Sequence, residues 1–234
     1  MSPSNSLPLV NKLLAALPKK DYEGLRRHLE EVPLIFGDVI YRPHTVIDEV
    51  YFPTSGIVSL LAGINERSTL EVGFVGNEGM IGLGVFLGVN VSPNRAVVQG
   101  AGSALRMKVN TFRKECNKRG ALAKLLQRYA HSFLTQVTQY AVCNQFHSVD
   151  ARLARWLLMT NDRMGDDEFL LTHEFLSNML GVRREGVSLA AGSLQKRDLI
   201  SYKRGRLKVL NRAGLEATSC PCYEIIKRES NGFV

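Results

Sequence analysis

No stretch of roughly 18 consecutive apolar residues occurs in the 234-residue chain, so no membrane-spanning helix is expected. The N-terminal segment MSPSNSLPLVNKLLAALPKKD holds a brief apolar patch, but no basic run precedes it and no small-residue cleavage site follows. It reads as the lead-in helix of a cytoplasmic protein rather than a secretory signal. Cysteine is scarce: Cys116, Cys143, Cys220 and Cys222 are too few and too scattered for a disulfide framework, which suits a reducing compartment. Cys220 and Cys222 form a CxC pair without a second pair or a nearby histidine, a poor zinc signature. They read as free thiols, and no metal is expected. Also missing are a Ser/His/Asp cluster, metal-ligand spacings and a catalytic phosphate loop, so the chain is not expected to be an enzyme. The glycines of GFVGNEGMIGLGVFLG (Gly76, Gly79, Gly82, Gly84) fit neither the P-loop nor the dinucleotide fingerprint. Tight turns with positive φ and a ligand pocket both remain open for this segment. An enzyme built on it would use Glu78 as acid or base, although Glu78 reads more simply as part of a surface turn.

Charge, by contrast, is concentrated. Residues 183–212 carry nine Lys and Arg against two acids, which is +7 of the formal net charge of +8. The rest of the chain is close to neutral, so a polyanion would be drawn to this one segment. Its pattern is specific. Thr172 suits an N-cap, Phe175, Leu176, Met179 and Leu180 follow at helical spacing, and Gly181 stops the helix. A second helix from about Arg183 turns Val187, Ala190, Ala191 and Leu194 inward, with Arg184, Glu185 and Ser188 facing elsewhere. Leu199–Tyr202, the basic turn of Lys203, Arg204, Gly205 and Arg206, and Leu207–Leu210 read as a hairpin. Two helices across a glycine-containing turn, followed by a hairpin, describe a winged helix-turn-helix.

The rest of the chain reads as α+β. Leu13, Leu14, Leu17, Leu25 and Leu29 recur about a break at Pro18, predicting two short helices. From Val32, β-branched and aromatic residues broken by Gly, Pro, Asn and Asp predict many short antiparallel strands in a β-sandwich or β-roll. Between Gly120 and Phe146, Leu122, Leu126, Tyr129, Phe133, Val137 and Tyr140 form a stripe about seven turns long. A homodimer seam is the favoured reading of that stripe, with Gln136, Gln139 and Asn144 setting register; packing within one chain is the alternative. Ser148 caps a further helix whose Leu153, Ala154, Trp156, Leu157 and Leu158 supply core. The expected organisation is a β-roll over residues 1–115, a long dimerisation helix over 116–147 and a winged helix-turn-helix domain over 148–234.

With these elements in this order, and with YFPTSGIVSLL, VGNEGMIGL, LARWLL, THEFLSNMLGVRREGVSLAAGSLQ and the terminal CPCY, the chain resembles the Crp/Fnr family of bacterial transcription regulators along nearly its whole length. The resemblance implies a cyclic-nucleotide-binding-like β-roll, dimerisation through the long helix, promoter DNA bound as a twofold dimer, and contact with RNA polymerase. The cyclic-AMP cassette of the family has a Gly-Glu pair and an Arg-Ser pair, and the matching positions here are Gly82-Leu83 and Arg95-Ala96. Leu83 cannot accept a ribose hydrogen bond, so cyclic AMP in the familiar pose is not expected, at a cost of ~1–3 kcal/mol. Arg95 either holds another anion or is an ordinary surface arginine. The absence of any cysteine before Cys116 argues against the N-terminal iron-sulfur cluster of the oxygen-sensing members, and haem, which would need a lone histidine such as His44 or His131, is not expected either. On the reading helix the family's Arg-Glu pair falls on Arg184 and Glu185, suited to guanine and cytosine edges, whereas the next reading position is Leu189. Thr172 and His173 match backbone-contacting positions, Arg183 and Ser188 lie beside the reading pair, and Lys203, Arg204 and Arg206 are wing candidates for phosphate. An effector-sensing module whose main output is a protein contact is the alternative function, and both a ligand-free and an effector-switched regulator fit.

Overall fold

The computed structural model describes residues 11–65, 68–165 and 167–232. Two short helices, α1 (Lys12–Ala15) and α2 (Lys19–Arg26), flank Pro18 as the leucine pattern predicts. The Asn11 side chain starts α1 by accepting from the Leu14 amide, and its Nδ2 donates to the Pro53 and Gly79 carbonyls at 2.8 and 2.9 Å. One polar side chain therefore caps a helix and fixes it to the β-domain, which buries Leu13 and Leu14. The part of the predicted lead-in helix ahead of Asn11 lies outside the described residues.

Seven strands follow: β1 (Glu30–Leu34), β2 (Val39–Tyr41), β3 (Glu49–Pro53), β4 (Ile57–Asn65), β5 (Ser68–Val75), β6 (Arg95–Gly100) and β7 (Gly102–Lys108), with the short helix α3 (Leu83–Phe86) between β5 and β6. They form two antiparallel sheets, ordered β1-β7-β3 and β2-β6-β4-β5. Val50, Phe52, Val58, Val75, Ala96, Val98 and Met107 face one core between them. Then come α4 (Val109–Asn117), the long α5 (Ala121–Phe146) and α6 (Val149–Met164). The C-terminal unit continues with β8 (Glu168–Leu170), α7 (His173–Leu180), α8 (Arg184–Lys196), β9 (Ile200–Lys203), β10 (Arg206–Val209), α9 (Arg212–Thr218) and α10 (Cys222–Gly232).

The apolar stripe of α5 is spent inside one protomer. Leu122, Leu126 and Tyr129 belong to the β-domain core, and Tyr140 joins the core shared with the C-terminal unit. All four are buried, while Phe133 and Val137 are half-buried. Intramolecular packing therefore accounts for Leu122, Leu126, Tyr129 and Tyr140 and for Phe133 against the β-domain core, and leaves Val137 half open: helical periodicity shows that a face is covered but not by what. Gln136 is likewise internal, its Oε1 accepting from the Phe74 amide at 2.8 Å.

The glycine-rich segment mixes both kinds of requirement. Gly82 has φ 96°, as a tight turn demands. At Gly79 a Cβ would lie 2.3 Å from the Tyr129 hydroxyl, which reaches over it to donate to the Met80 carbonyl at 3.1 Å. Glu78 is not a surface residue: it is buried and accepts from Arg163 Nε of α6 at 2.8 Å.

A second buried carboxylate, Glu71 of β5, ties the three parts together. Its Oε1 accepts from the Tyr140 hydroxyl of α5 at 3.0 Å and from Trp156 Nε1 of α6 at 3.1 Å, and its Oε2 lies 2.7 Å from Ser59 Oγ of β4. Burial pushes its carboxyl up to about 7, outweighing the hydrogen bonds and the nearby Arg155 charge.

Candidate nucleic-acid interface

Thr172 caps α7, its side chain accepting from the Phe175 amide at 3.0 Å. Leu176, Met179 and Leu180 bury themselves at helical spacing, and Gly181 ends the helix with φ 60°. A Cβ on Gly181 would meet Leu70 of β5 at 2.5 Å, so this glycine also allows the unit to dock on the β-domain. Arg183 is the N-cap of α8, without a side-chain capping bond, and Val187, Ala190, Ala191 and Leu194 are the buried face of that helix. Arg184, Glu185 and Ser188 are exposed on the opposite side, together with Leu189, which is 76% exposed.

The wing is a three-stranded sheet, β8-β10-β9, and not only the hairpin read from sequence. Arg206 and Lys208 of β10 face Leu170 and Glu168 of β8 in register. The β9–β10 turn has φ 50° at Arg204 and 78° at Gly205, the paired positive values that a two-residue hairpin turn favours, and this sets Arg204 at the tip.

These pieces form one cleft between the start of α7, the face of α8 and the wing, lined by Thr172, His173, Arg184, Ser188, Gln195, Tyr202 and Arg204. The Ser188 hydroxyl donates to the Arg184 carbonyl at 3.0 Å and lies 3.0 Å from His173 Nδ1. His173 packs on the Tyr202 ring with centroids 4.9 Å apart, and the Tyr202 hydroxyl donates to the Leu171 carbonyl at 2.7 Å. Through these contacts the cleft spans both helices and the wing as one connected surface. Among the described residues Arg183, Arg184, Lys203 and Arg204 form no ion pair and point their charge outward. Arg206 instead pairs with Glu168 at 2.9 Å, and Arg212 with Asp162 and Glu216 at 2.5 and 3.0 Å. The basic excess counted along the sequence therefore includes one residue, Arg212, that braces α9 against α6.

The residues matched to the cyclic-nucleotide cassette sit in the β-domain, where Tyr41 neighbours both Gly82 and Ala96. Gly82 precedes α3 with the Tyr41 hydroxyl and Val50 packed where a Cβ would lie, at 2.9 and 3.0 Å, and Leu83 opens α3. Ala96 is fully buried opposite Tyr41 and Leu60. Arg95, half-buried at the start of β6, has an Nε without a hydrogen-bond partner. His44 and His131 are exposed.

One grouping escaped the sequence reading. Cys143 and His147 on the last turn of α5 meet Cys220 and Cys222 at the α9–α10 connection, so the CxC pair does have a histidine and a third thiol beside it. The signal was the i, i+4 spacing of Cys143 and His147 on a predicted helix, which sets two side chains on one face.

Residues 151–218 match the Crp-like helix-turn-helix domain family. A search of curated protein sequences finds no significant match. Among solved structures the chain is similar to a protein of Eubacterium rectale described as a crp/fnr-family transcriptional regulator, with 18% identity and TM-score 0.69, covering 88% of this chain and 97% of that one. It is similar to FixK2 from Bradyrhizobium japonicum at 17% identity and TM-score 0.70, covering 82% and 98%. A third is the c-di-GMP-responsive global regulator CLP of Xanthomonas campestris, at 16% identity and TM-score 0.64, covering 82% and 99%. Residues 151–218 are thus a Crp-like helix-turn-helix domain, carried by a chain with the fold of Crp/Fnr regulators.

Proposed function

We propose that the protein is a cytoplasmic, homodimeric, sequence-specific DNA-binding transcription regulator, with residues 1–115 as effector domain, 116–147 as dimerisation helix and 148–234 as DNA-binding domain. The observation that carries this reading is the helix-turn-helix surface on which Arg183, Arg184, Lys203 and Arg204 are exposed without an ion pair among the described residues, Arg184 and Arg204 lining the cleft itself. α8 enters the major groove with Arg184 forking onto guanine and Glu185 accepting from cytosine. Leu189 offers an apolar contact to a thymine methyl. The N-terminus of α7 at Thr172 and His173, with Arg183 and Ser188 beside the reading pair and the wing residues Lys203, Arg204 and Arg206, holds phosphates. The dimer seam lies on the side of α5 that the protomer leaves open, at Ala130, Leu134, Val137 and Ala141, which follow at 4-3-4 spacing and retain Val137 of the predicted stripe; Leu134 is 63% exposed. RNA polymerase is the expected protein partner. No helix among the described residues is long and apolar enough to cross a membrane.

The test is selection of DNA sites from a random pool, followed by affinity across a salt series. An enriched twofold-symmetric site with half-sites about one helical turn apart, and log affinity falling linearly with log salt, is the expected result. Failure to enrich any site sinks the reading. Survival of all regulatory output in an Arg184→Ala, Glu185→Ala double variant would favour the protein-contact alternative.

A further inference from the structure

We propose that Cys143, His147, Cys220 and Cys222 form a closed, four-coordinate zinc site that staples the C-terminal end of the DNA-binding unit to the last turn of α5. The four ligand atoms all lie within 4.8 Å of one another. Cys143 Sγ is 3.3 Å from Cys220 Sγ, and Cys222 Sγ is 3.7 Å from His147 Nδ1. A tetrahedral ion with Zn–S of about 2.3 Å and Zn–N of about 2.0 Å puts its ligands about 3.8 Å apart for sulfur pairs and about 3.5 Å for a sulfur–nitrogen pair. The observed separations straddle these values, so small side-chain shifts close the shell. A Cys143–Cys220 disulfide would need the sulfurs to close to about 2.0 Å and would leave Cys222 and His147 without a role.

The surroundings favour an ion as well. The three thiols are buried and make a small cluster of their own, with Ala151 as the partly buried apolar neighbour. Thiols are weak hydrogen-bonding groups, so three of them beside an imidazole give it little polar stabilisation without an ion. Three thiolates on a zinc ion leave one net negative charge, and Arg155, 1% exposed, is placed to act electrostatically on Cys143, Cys220 and Cys222. This buried cation is the kind of outer partner that ligating thiolates take.

The location gives the site its consequence. His147 closes α5, and Ser148 immediately caps α6, so the chain turns from the long helix into the DNA-binding unit at this point. Cys220 and Cys222 return from the far end of that unit, and α10 then runs along α5, where Ser132 Oγ donates to the Glu229 carbonyl and Arg128 Nη2 to the Gly232 carbonyl, both at 3.1 Å. One ion thereby joins both ends of the unit across the turn.

The experiment is metal analysis of the full chain purified under reducing conditions without chelator, with Cys222→Ser, His147→Ala and Cys116→Ser alongside. Stoichiometric zinc in the parent and in Cys116→Ser, lost in Cys222→Ser and reduced in His147→Ala, is the expected result. Because Cys222→Ser can unfold, cobalt is also exchanged into the parent chain: tetrahedral d–d bands with thiolate charge transfer are expected, and their absence overturns the assignment. A metal-free protein, a Cys143–Cys220 disulfide found by mass mapping, or an iron-sulfur chromophore overturns it too.

Discussion

Replacing Glu71 by Gln isolates a charge that the fold keeps suppressed. In the native chain Ser59 has one proton for two acceptors, Glu71 Oε2 and Gln99 Oε1. A protonated Glu71 resolves the conflict by donating to Ser59, which passes its own proton to Gln99. Tyr140 and Trp156 still donate to Oε1. Gln fits the same pattern with its amide in place of the acid hydroxyl, so Glu71→Gln keeps every contact and removes the titration. The carboxyl moves from 4.5 in the unfolded chain to about 7 in the fold. Between these values the folded state holds more protons than the unfolded one, so stability falls as pH rises through the window and is constant below about 4.5. At about 1.4 kcal/mol per pH unit, the parent loses about 2.5 kcal/mol between pH 5 and pH 7.5 that the variant keeps. For a chain of this size that is a relative shift of roughly 5–10 °C in Tm. Thermal unfolding of both proteins at pH 5 and pH 7.5, in reducing buffer, measures it. Equal pH dependence in the two proteins, or a parent that gains on the variant at pH 7.5, would show that Glu71 is ionised against Arg155 and refute the argument.

Arg184→Ala should cost about 1–3 kcal/mol of affinity for the selected site and relax preference at one base position, whereas Lys203→Ala or Arg204→Ala should weaken all sequences alike and flatten the salt slope by about one each, both read by fluorescence anisotropy. Leu134→Glu should leave the protomer folded but shift sedimentation toward monomer, while Leu126→Ala, in the β-domain core, should cost about 2–5 kcal/mol of stability by chemical denaturation. Gly192→Ala, where nothing lies within 4 Å of the added Cβ, should raise stability by about 0.5–1 kcal/mol in the same assay.

The features legible in the sequence were those set by local chemistry. Thr172 and Ser148 accept the amides that cap α7 and α6, and Gly181 takes the left-handed stop. The basic turn of the wing was readable for the same reason, since Arg204 and Gly205 suit a two-residue hairpin. What was not legible depended on partners distant in sequence. β8 is only three residues long, too short to show a period, and exists because β10 pairs with it. The α5 stripe gave the covered face, but not that at Leu122, Leu126, Tyr129 and Tyr140 the cover comes from the same protomer. Glu71, Glu78 and Arg155 carry charge in segments that read as ordinary strand, turn and helix, and nothing local announces that each finds a buried partner. The cysteine cluster joins two locally spaced pairs, Cys143 with His147 and Cys220 with Cys222, across 75 to 77 positions, and no spacing rule reaches over that gap.

The buried Glu78–Arg163 pair bears directly on how an effector would act. Both side chains are 9% exposed, and the pair links the glycine-rich turn of the β-domain to the first helix of the DNA-binding unit. Separating the two while leaving either one buried costs about 3–5 kcal/mol. Tipping a two-state equilibrium from 1:99 to 99:1 needs about 5.5 kcal/mol of differential binding, a quantity of the same order. Gly82 and Leu83, two of the four residues matched to the family's ligand cassette, follow Glu78 within the same turn. A ligand seated against them that displaced this turn would act on Arg163 through a handful of covalent bonds, without a long path of packed side chains. On this geometry an effector's leverage would lie in whether the turn lets Glu78 keep its hold on α6, and an Arg163→Met variant, which removes both the pair and the guanidinium stacked over Phe74, should make DNA affinity indifferent to any ligand seated at that turn.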